Sequence, residues 1–171
     1  MTKRKLDAVS VREHLAENMK ERVYATITLV AVIAALWQTA DHHSVGGVLA
    51  SIGGTAVALW AATIISARVS YRAVYARSMN GHEVAKLFFT SSGLLAPAIF
   101  PVLLIIVSGI GALPLKDALF AGMIALLLSL FTLSFMAGRR IYTKMSRVLL
   151  ISFLEMLVGV GVIVLKLAVG E

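Results

Sequence analysis

The residue in this sequence that is most clearly suited to do chemistry is Glu155, a carboxylate within the strongly apolar stretch FLEMLVGVGVIVLKL. An ionised carboxylate in hydrocarbon costs about 3 kcal/mol, so a membrane segment retains one when it is protonated, solvated or paired. Depth along each predicted helix can be counted at ~1.5 Å per residue from the basic end of its apolar stretch. This count places one hydroxyl from each of four other stretches near the depth of Glu155. The four are Thr28, Thr63, Ser92 and Thr132. Together they predict a solvated cavity that binds a cation or a proton; the alternative is a protonated glutamate that holds the helices together.

A second candidate site lies near the N-terminus, on a helix predicted to run from the cytosol into the first apolar stretch. His14, Glu17 and Glu21 share one face of this helix through their i, i+3 and i+7 spacing. An imidazole and two carboxylates could hold a divalent cation, but we favour a solvated helix face whose acids are balanced by nearby Lys and Arg. Ser10 and Glu13 match the S-x-x-E capping box and predict the start of the helix.

Two further groups of potential metal ligands are weaker. One is the predicted outer turn with Asp41, His42 and His43, where adjacent side chains seldom converge, so we favour a solvated turn. The other is the set of methionines within the apolar stretches, which usually fill cores: Met123, Met136 and Met156. The chain has no cysteine, which excludes disulfides and thiolate metal sites. No nucleophile–base pair, phosphate loop or H-E-x-x-H motif is present, so we expect neither an enzyme nor a cofactor.

Membrane-spanning helices are the elements that must position these side chains. The 171 residues are 59% hydrophobic, above the ~45–50% typical of soluble domains, and the mean hydropathy is +0.90. Five apolar stretches each approach the ~20 residues that a spanning helix needs: 23–40, 44–67, 88–109, 115–137 and 148–168. Pro97, Pro101 and Pro114 predict a bent third helix and the turn after it. We therefore predict an all-α polytopic membrane protein, with a cytosolic basic segment at 1–22 that carries an amphipathic helix and a five-helix transmembrane domain at 23–169.

The basic residues predict the orientation of these helices. Six of the 16 Lys and Arg precede the first stretch, four lie between the second and third, and four lie between the fourth and fifth. Fourteen cations on one face place the N-terminus inside and the C-terminus outside a multi-pass cell-membrane protein. The same charges suit anionic lipid headgroups, so the net charge of +7 requires no nucleic acid.

Small residues recur at every fourth position of the second stretch. The row consists of Gly46, Ala50, Gly54, Ala58, Ala62 and Ser66, and it is called the small-residue row below. In a bilayer such residues let two helix backbones approach closely. The row therefore predicts a packing groove, filled either by a helix of the same chain, which we favour slightly, or by a second copy.

Four stretches in this order resemble the five-helix vacuolar iron transporter family over about residues 23–169. They are ISARVSYRAVYARSMNGHE, the paired prolines of GLLAPAIFPVLL, ALLLSLFTLSFMAGRR and SRVLLISFLEMLVGVGVIVLKLAVG. The resemblance implies a homodimer that moves ferrous or manganous ions, often in exchange for protons. The chain departs from the family because its first two spans lack the acids and methionine that serve there as ion ligands. The family's cytosolic metal-binding insert is reduced to a link with Met79, His82 and Glu83.

Two functions follow from these features. We expect an integral membrane transport protein, with divalent metal such as iron or manganese moved in a proton-coupled way by a homodimer in the lipid bilayer. In this hypothesis Glu155 is the group that binds the proton or the cation. The alternative is a non-transporting membrane scaffold or a regulatory partner protein, which the missing ligands favour.

Overall fold

The chain folds into α-helices joined by short turns. The computed structural model describes residues 3–169, and their side chains from Asn18 onward. The helices are α1 Lys3–Gln38, α2 Val45–Tyr75, α3 Gly81–Ser91, α4 Ala96–Gly109, α5 Leu115–Gly138 and α6 Met145–Val169. A 3₁₀ turn precedes α2 at Ala40–His42, and another joins α3 to α4 at Ser92–Leu95. No strand occurs within the described residues, which confirms the predicted all-α class.

Within residues 3–169, four helical segments are long and apolar enough to cross a membrane. They are α2, the unit formed by α3 and α4, α5 and α6. These segments make the chain a helical membrane protein. Helix α1 is not among them because its apolar part follows Glu21 and Arg22 directly and ends at Gln38, a stretch of ~24 Å against a hydrocarbon core of ~30 Å.

The first helix is longer than the sequence predicts. The expectation that it begins at the Ser10 capping box is wrong, because α1 is already helical at Lys3 and continues without a break for 36 residues. Neither glycine nor proline interrupts this segment, so nothing in it opposes helix propagation. The basic segment at 1–22 and the first apolar stretch therefore share one helix ~54 Å long.

The apolar half of α1 lies at the centre of the bundle. Helix α1 packs against α2, α4, α5 and α6. Leu29, Val30, Ile33 and Ala34 are fully buried there, and they belong to the same core as Leu126 of α5. Aliphatic side chains from neighbouring helices close this core, so the centre of the bundle is apolar.

The third apolar stretch is not one continuous α-helix. Helix α3 ends at Ser91, the 3₁₀ turn follows, and α4 begins at Ala96 with Pro97 in its first turn, where a missing N–H is tolerated. Pro101 lies inside α4, and Pro114 stands immediately before α5. The stretch is thus interrupted by a 3₁₀ turn ahead of Pro97, and the predicted turn after it stands before α5.

Helices α5 and α6 form an antiparallel pair with small residues in the contact. A Cβ atom on Gly138 would lie 3.1 Å from Val148, and one on Gly159 would lie 2.7 Å from Leu127. These partners are equidistant from the connecting turn, as expected for antiparallel helices in register. The two backbones are therefore close along most of the pair, and α6 is fixed on α5 by the face that carries Gly159.

Candidate functional site

The polar layer predicted around Glu155 does not form an interior cavity. Glu155, Ser92 and Thr132 are exposed on the surface of the bundle, and Thr28 and Thr63 are half-buried. Three of the hydroxyls donate to carbonyls of their own helical turn: Thr28 to Tyr24 O at 2.9 Å, Ser92 to Phe89 O at 2.7 Å, and Thr132 to Leu128 O at 2.7 Å. The expectation that these groups converge inside the bundle is wrong, and their role in binding an ion stays a prediction.

The position of Glu155 explains why the sequence predicts an inward orientation. It follows the buried Ser152 by three residues and precedes the buried Gly159 by four, which is the spacing of one helical face. However, α6 packs mainly against α5 and α1. Glu155 lies at the edge of this contact, where no further described helix covers it, and its side chain is exposed.

The buried polar groups are hydroxyls that the sequence-based reasoning did not select. Ser134 of α5 donates to Ser152 of α6 at 3.2 Å, and both are buried. Thr26 is fully buried and donates to Arg22 O at 2.8 Å. The signal for the serine pair was available, because the two positions are equidistant from the α5–α6 turn. No charged side chain is buried among those that the structure describes.

The small-residue row of α2 faces away from the bundle. All six of its residues are exposed, and a Cβ atom on Gly46 or Gly54 would meet no atom within 4 Å. The opposite side of α2 is buried instead, through Val48, Ile52 and Ala56. The expectation that a helix of the same chain fills the groove is therefore wrong, and the groove is open on the membrane-facing surface.

A similar surface lies on α1, which packs next to α2. Tyr24, Ala35 and Thr39 are exposed, and Thr28 is half-buried among them. Their spacing of four, seven and four residues places them on one side of the helix. Two neighbouring helices thus present small and hydroxyl-bearing residues outward, which is unusual for a surface that meets only lipid tails.

A cavity of about 190 Å³ opens between the basic end of α1 and the junction of α3 and α4. Asn18, Glu21, Arg22 and Thr90 line it. A Cβ atom at Gly93 would lie 2.7 Å from Arg22 Nη2, so a larger residue at this position would displace the end of the Arg22 side chain. The Arg22 side chain therefore packs directly on the backbone of the 3₁₀ turn.

The predicted metal ligands receive little support from this geometry. Glu21 lines the cavity, whereas the side chains of His14 and Glu17 lie outside the described residues. No group of three or more His, Asp or Glu side chains converges in the described part of the chain. The outer turn residues Asp41, His42 and His43 are all exposed, in keeping with a solvated turn. Met123 is buried, Met156 is half-buried and Met136 is exposed, so the three methionines do not line one path.

The turn between α2 and α3 is held by a compact polar cluster. Glu83 Oε1 accepts from Arg77 Nη2 at 2.8 Å and from the Tyr71 hydroxyl at 2.9 Å, and Glu83 Oε2 accepts from Asn80 N at 2.9 Å. Asn80 Oδ1 in turn accepts from Glu83 N at 3.0 Å, which completes a capping box. The hydrogen bonds from Arg77, from the Asn80 backbone and from Tyr71 lower the pKa of Glu83 to about 2. Glu83 is therefore engaged in the turn and is not available as a metal ligand there.

Comparison with protein-family models, with curated proteins and with solved structures finds no match to this chain. Its chemistry therefore has to be argued from its own surfaces. Three features carry that argument: an apolar interior, an outward row of small and hydroxyl-bearing residues on α1 and α2, and an exposed carboxylate on α6.

Proposed function

We propose that the protein is an integral membrane transport protein that moves a cation along a seam between two copies of the chain. The proposed cargo is a divalent metal such as iron or manganese, in exchange for protons, as the resemblance to the vacuolar iron transporter family implies. One observation carries the proposal: the small and hydroxyl-bearing residues of α1 and α2 face outward, while the described interior is mostly aliphatic and contains no charged side chain. A cation crosses an aliphatic core only at a prohibitive cost, so a path has to follow the outer surface.

The proposal includes five membrane spans, with the N-terminus inside and the C-terminus outside. Helix α1 lies between α2, α4, α5 and α6. If the other segments cross the bilayer, its apolar half must lie within the same layer, because its fully buried residues contact theirs. The proposed orientation follows from the basic residues at one end of the bundle, and the cell membrane is the proposed location.

A second copy is the proposed cover of the α1–α2 surface. In a two-fold dimer with its axis along the membrane normal, the same surface of each copy meets its counterpart. Gly54 and Ala58 would let the two α2 backbones approach closely, since van der Waals packing drives association in lipid. Thr28, Ser51 and Thr55 would then supply hydroxyl oxygens along the seam. At these positions the second copy would replace lipid as the neighbour of each helix.

The test is uptake of Mn²⁺ into proteoliposomes under a proton gradient, combined with the size of the protein in detergent. Gly54→Leu should hold the two α2 helices apart and reduce the association constant of the dimer about tenfold. The Mn²⁺ flux should fall with it. Val57→Leu is the matched control, because Val57 is 54% exposed on the same helix and already carries a branched side chain. Absence of uptake by the wild type would refute the transport proposal, and unchanged dimer size in Gly54→Leu would refute the seam.

A non-transporting scaffold or regulatory partner protein is the second candidate function. The exposed position of Glu155 on α6 favours it, because a surface carboxylate in the membrane suits recognition of another protein. The uptake measurement separates the two functions, since a scaffold moves no cation in either orientation of the gradient.

A further inference from the structure

We infer that one face of α6 docks a transmembrane helix of a different protein, and that this helix carries a lysine or an arginine at the depth of Glu155. The face, called the Glu155 face below, consists of Ile151, Glu155, Val158, Val162 and Lys166. Successive members are four, three, four and four residues apart, the spacing of one helical stripe. Its members range from half-buried to exposed in this chain, and only 17% of the apolar part of α6 is buried, against 33% for α5.

The depth of Glu155 is set by the two basic residues of the same helix. Arg147 and Lys166 are ~28 Å apart along α6, which matches a hydrocarbon core of ~30 Å. Glu155 lies eight residues beyond Arg147, or ~12 Å along the axis. Lys and Arg reach the interface from such depths through their long stems, but the glutamate stem has two methylene groups and is too short. The carboxylate therefore remains within the hydrocarbon layer.

No described group of the same chain neutralises this carboxylate. The one ion pair between described side chains joins Arg77 to Glu83 at the α2–α3 turn, and none of the described hydrogen bonds reaches Glu155. Lys166 shares the Glu155 face but lies eleven residues away, or ~16 Å along the axis. The carboxylate is exposed, so whatever satisfies it has to come from outside the chain.

A second copy of the chain does not fit the Glu155 face. Two copies inserted in the same orientation would be related by a two-fold axis along the membrane normal. Residues at the same depth in the two copies would then face each other. Glu155 would then face Glu155, and Lys166 would face Lys166, so like charges would meet at both levels. A helix with a basic residue at the inner level is complementary instead, and short β-branched neighbours such as Val158 and Val162 leave room for it. This inference does not depend on transport, because the proposed seam lies on α1 and α2.

Binding of designed single-span peptides in liposomes tests the inference. One leucine-rich peptide carries a lysine ~12 Å from its inner end, a second carries glutamine at the same place, and a third carries the lysine seven residues further out. Association is measured by energy transfer to a dye on the protein at a cysteine introduced for His43, since the chain has no other cysteine. We expect the matched lysine peptide to bind about tenfold more tightly than the other two, and Glu155→Gln to abolish the difference.

A variant that moves the acid around the helix controls for nonspecific attraction. Leu154 is 53% exposed, so the double change Glu155→Leu with Leu154→Glu keeps composition and depth but shifts the carboxylate by about 100°. Loss of the preference for the matched peptide in this variant supports the Glu155 face. Retention of the preference, equal binding of all three peptides, or self-association of the wild type that Glu155→Gln removes would each overturn the inference. Gly54→Leu, which disrupts the proposed seam on α1 and α2, should leave the preference for the matched peptide unchanged, so failure here is distinguishable from failure of the transport proposal.

Discussion

Glu83 and Arg77 make the α2–α3 turn a fixed link between two membrane helices. The guanidinium of Arg77 also lies 5.0 Å from the centroid of the Tyr71 ring, so it contacts both the carboxylate and the aromatic face. Glu83 belongs to the first turn of α3, ahead of the apolar stretch at 88–109, and the cluster is on the basic side of the bundle. A short turn of this kind restricts how far the end of α2 can move relative to α3.

The first prediction concerns the titration of Glu83. Arg77 is the largest cause of its lowered pKa, so Arg77→Gln should raise that pKa from about 2 toward the ordinary 4.5. Because the pKa is lower in the folded chain, the cluster contributes stability above pH 4.5 and loses it as the pH falls toward 2. The measurement is an NMR titration of the labelled carboxyl carbon in both proteins. A midpoint near 4.5 in the wild type would contradict the hydrogen-bonded cluster.

At the scale of the helices, α6 has one face that is closely packed and another that is open. Gly159 is buried against Leu127 and Leu130 of α5, whereas Gly161 is exposed and has no atom within 4 Å of a Cβ position. Two glycines two residues apart therefore have different roles. The first allows the approach of α5, and the second lies on a surface that the chain leaves uncovered.

The second prediction uses these two glycines as a matched pair. Gly159→Leu should lower the free energy of unfolding by about 1–3 kcal/mol, because the new side chain overfills the contact with α5. Gly161→Leu should change it by about 0.5 kcal/mol or less, as expected for a position with open space. Thermal unfolding in one detergent compares both with the wild type. Equal losses of stability would show that α6 does not pack on α5 through Gly159.

The helices were more predictable from the sequence than the directions they face. The length and hydropathy of the stretches predict α2, α5 and α6, and the prolines predict the break before α4. The small-residue row and Glu155 were assigned to the interior, yet both lie outside. In water an apolar stripe marks the buried side of a helix, but in lipid both sides are apolar, so periodicity along one helix does not indicate its partner. The Ser134–Ser152 pair required the register of two helices, which a single segment does not contain.

At the scale of the whole molecule, the basic residues collect at one end of the bundle. Arg22 and the turn after α2 belong to this end, together with the turn between α5 and α6, whose residues 139–147 are exposed. The turn at Ala40–His42 and the turn before α5 form the other end. The cavity beside Arg22 opens at this same end of the bundle.

The third prediction tests the orientation of the chain together with the number of crossings after α1. The chain has no cysteine, so single cysteines introduced for His43 and Ser78, both exposed in turns, can be labelled without background. We expect a membrane-impermeant maleimide added to intact cells to label His43→Cys and to leave Ser78→Cys unmodified until the cells are opened. This result follows from the retention of basic loops on the cytosolic side.

A third cysteine, introduced for Val169 at the outer end of α6, should be labelled like the one at position 43, because five crossings separate it from a cytosolic N-terminus. Protection of Val169→Cys together with labelling of His43→Cys would mean an odd number of crossings between the two positions, and it would remove one of the helices after α1 from the set of spanning helices.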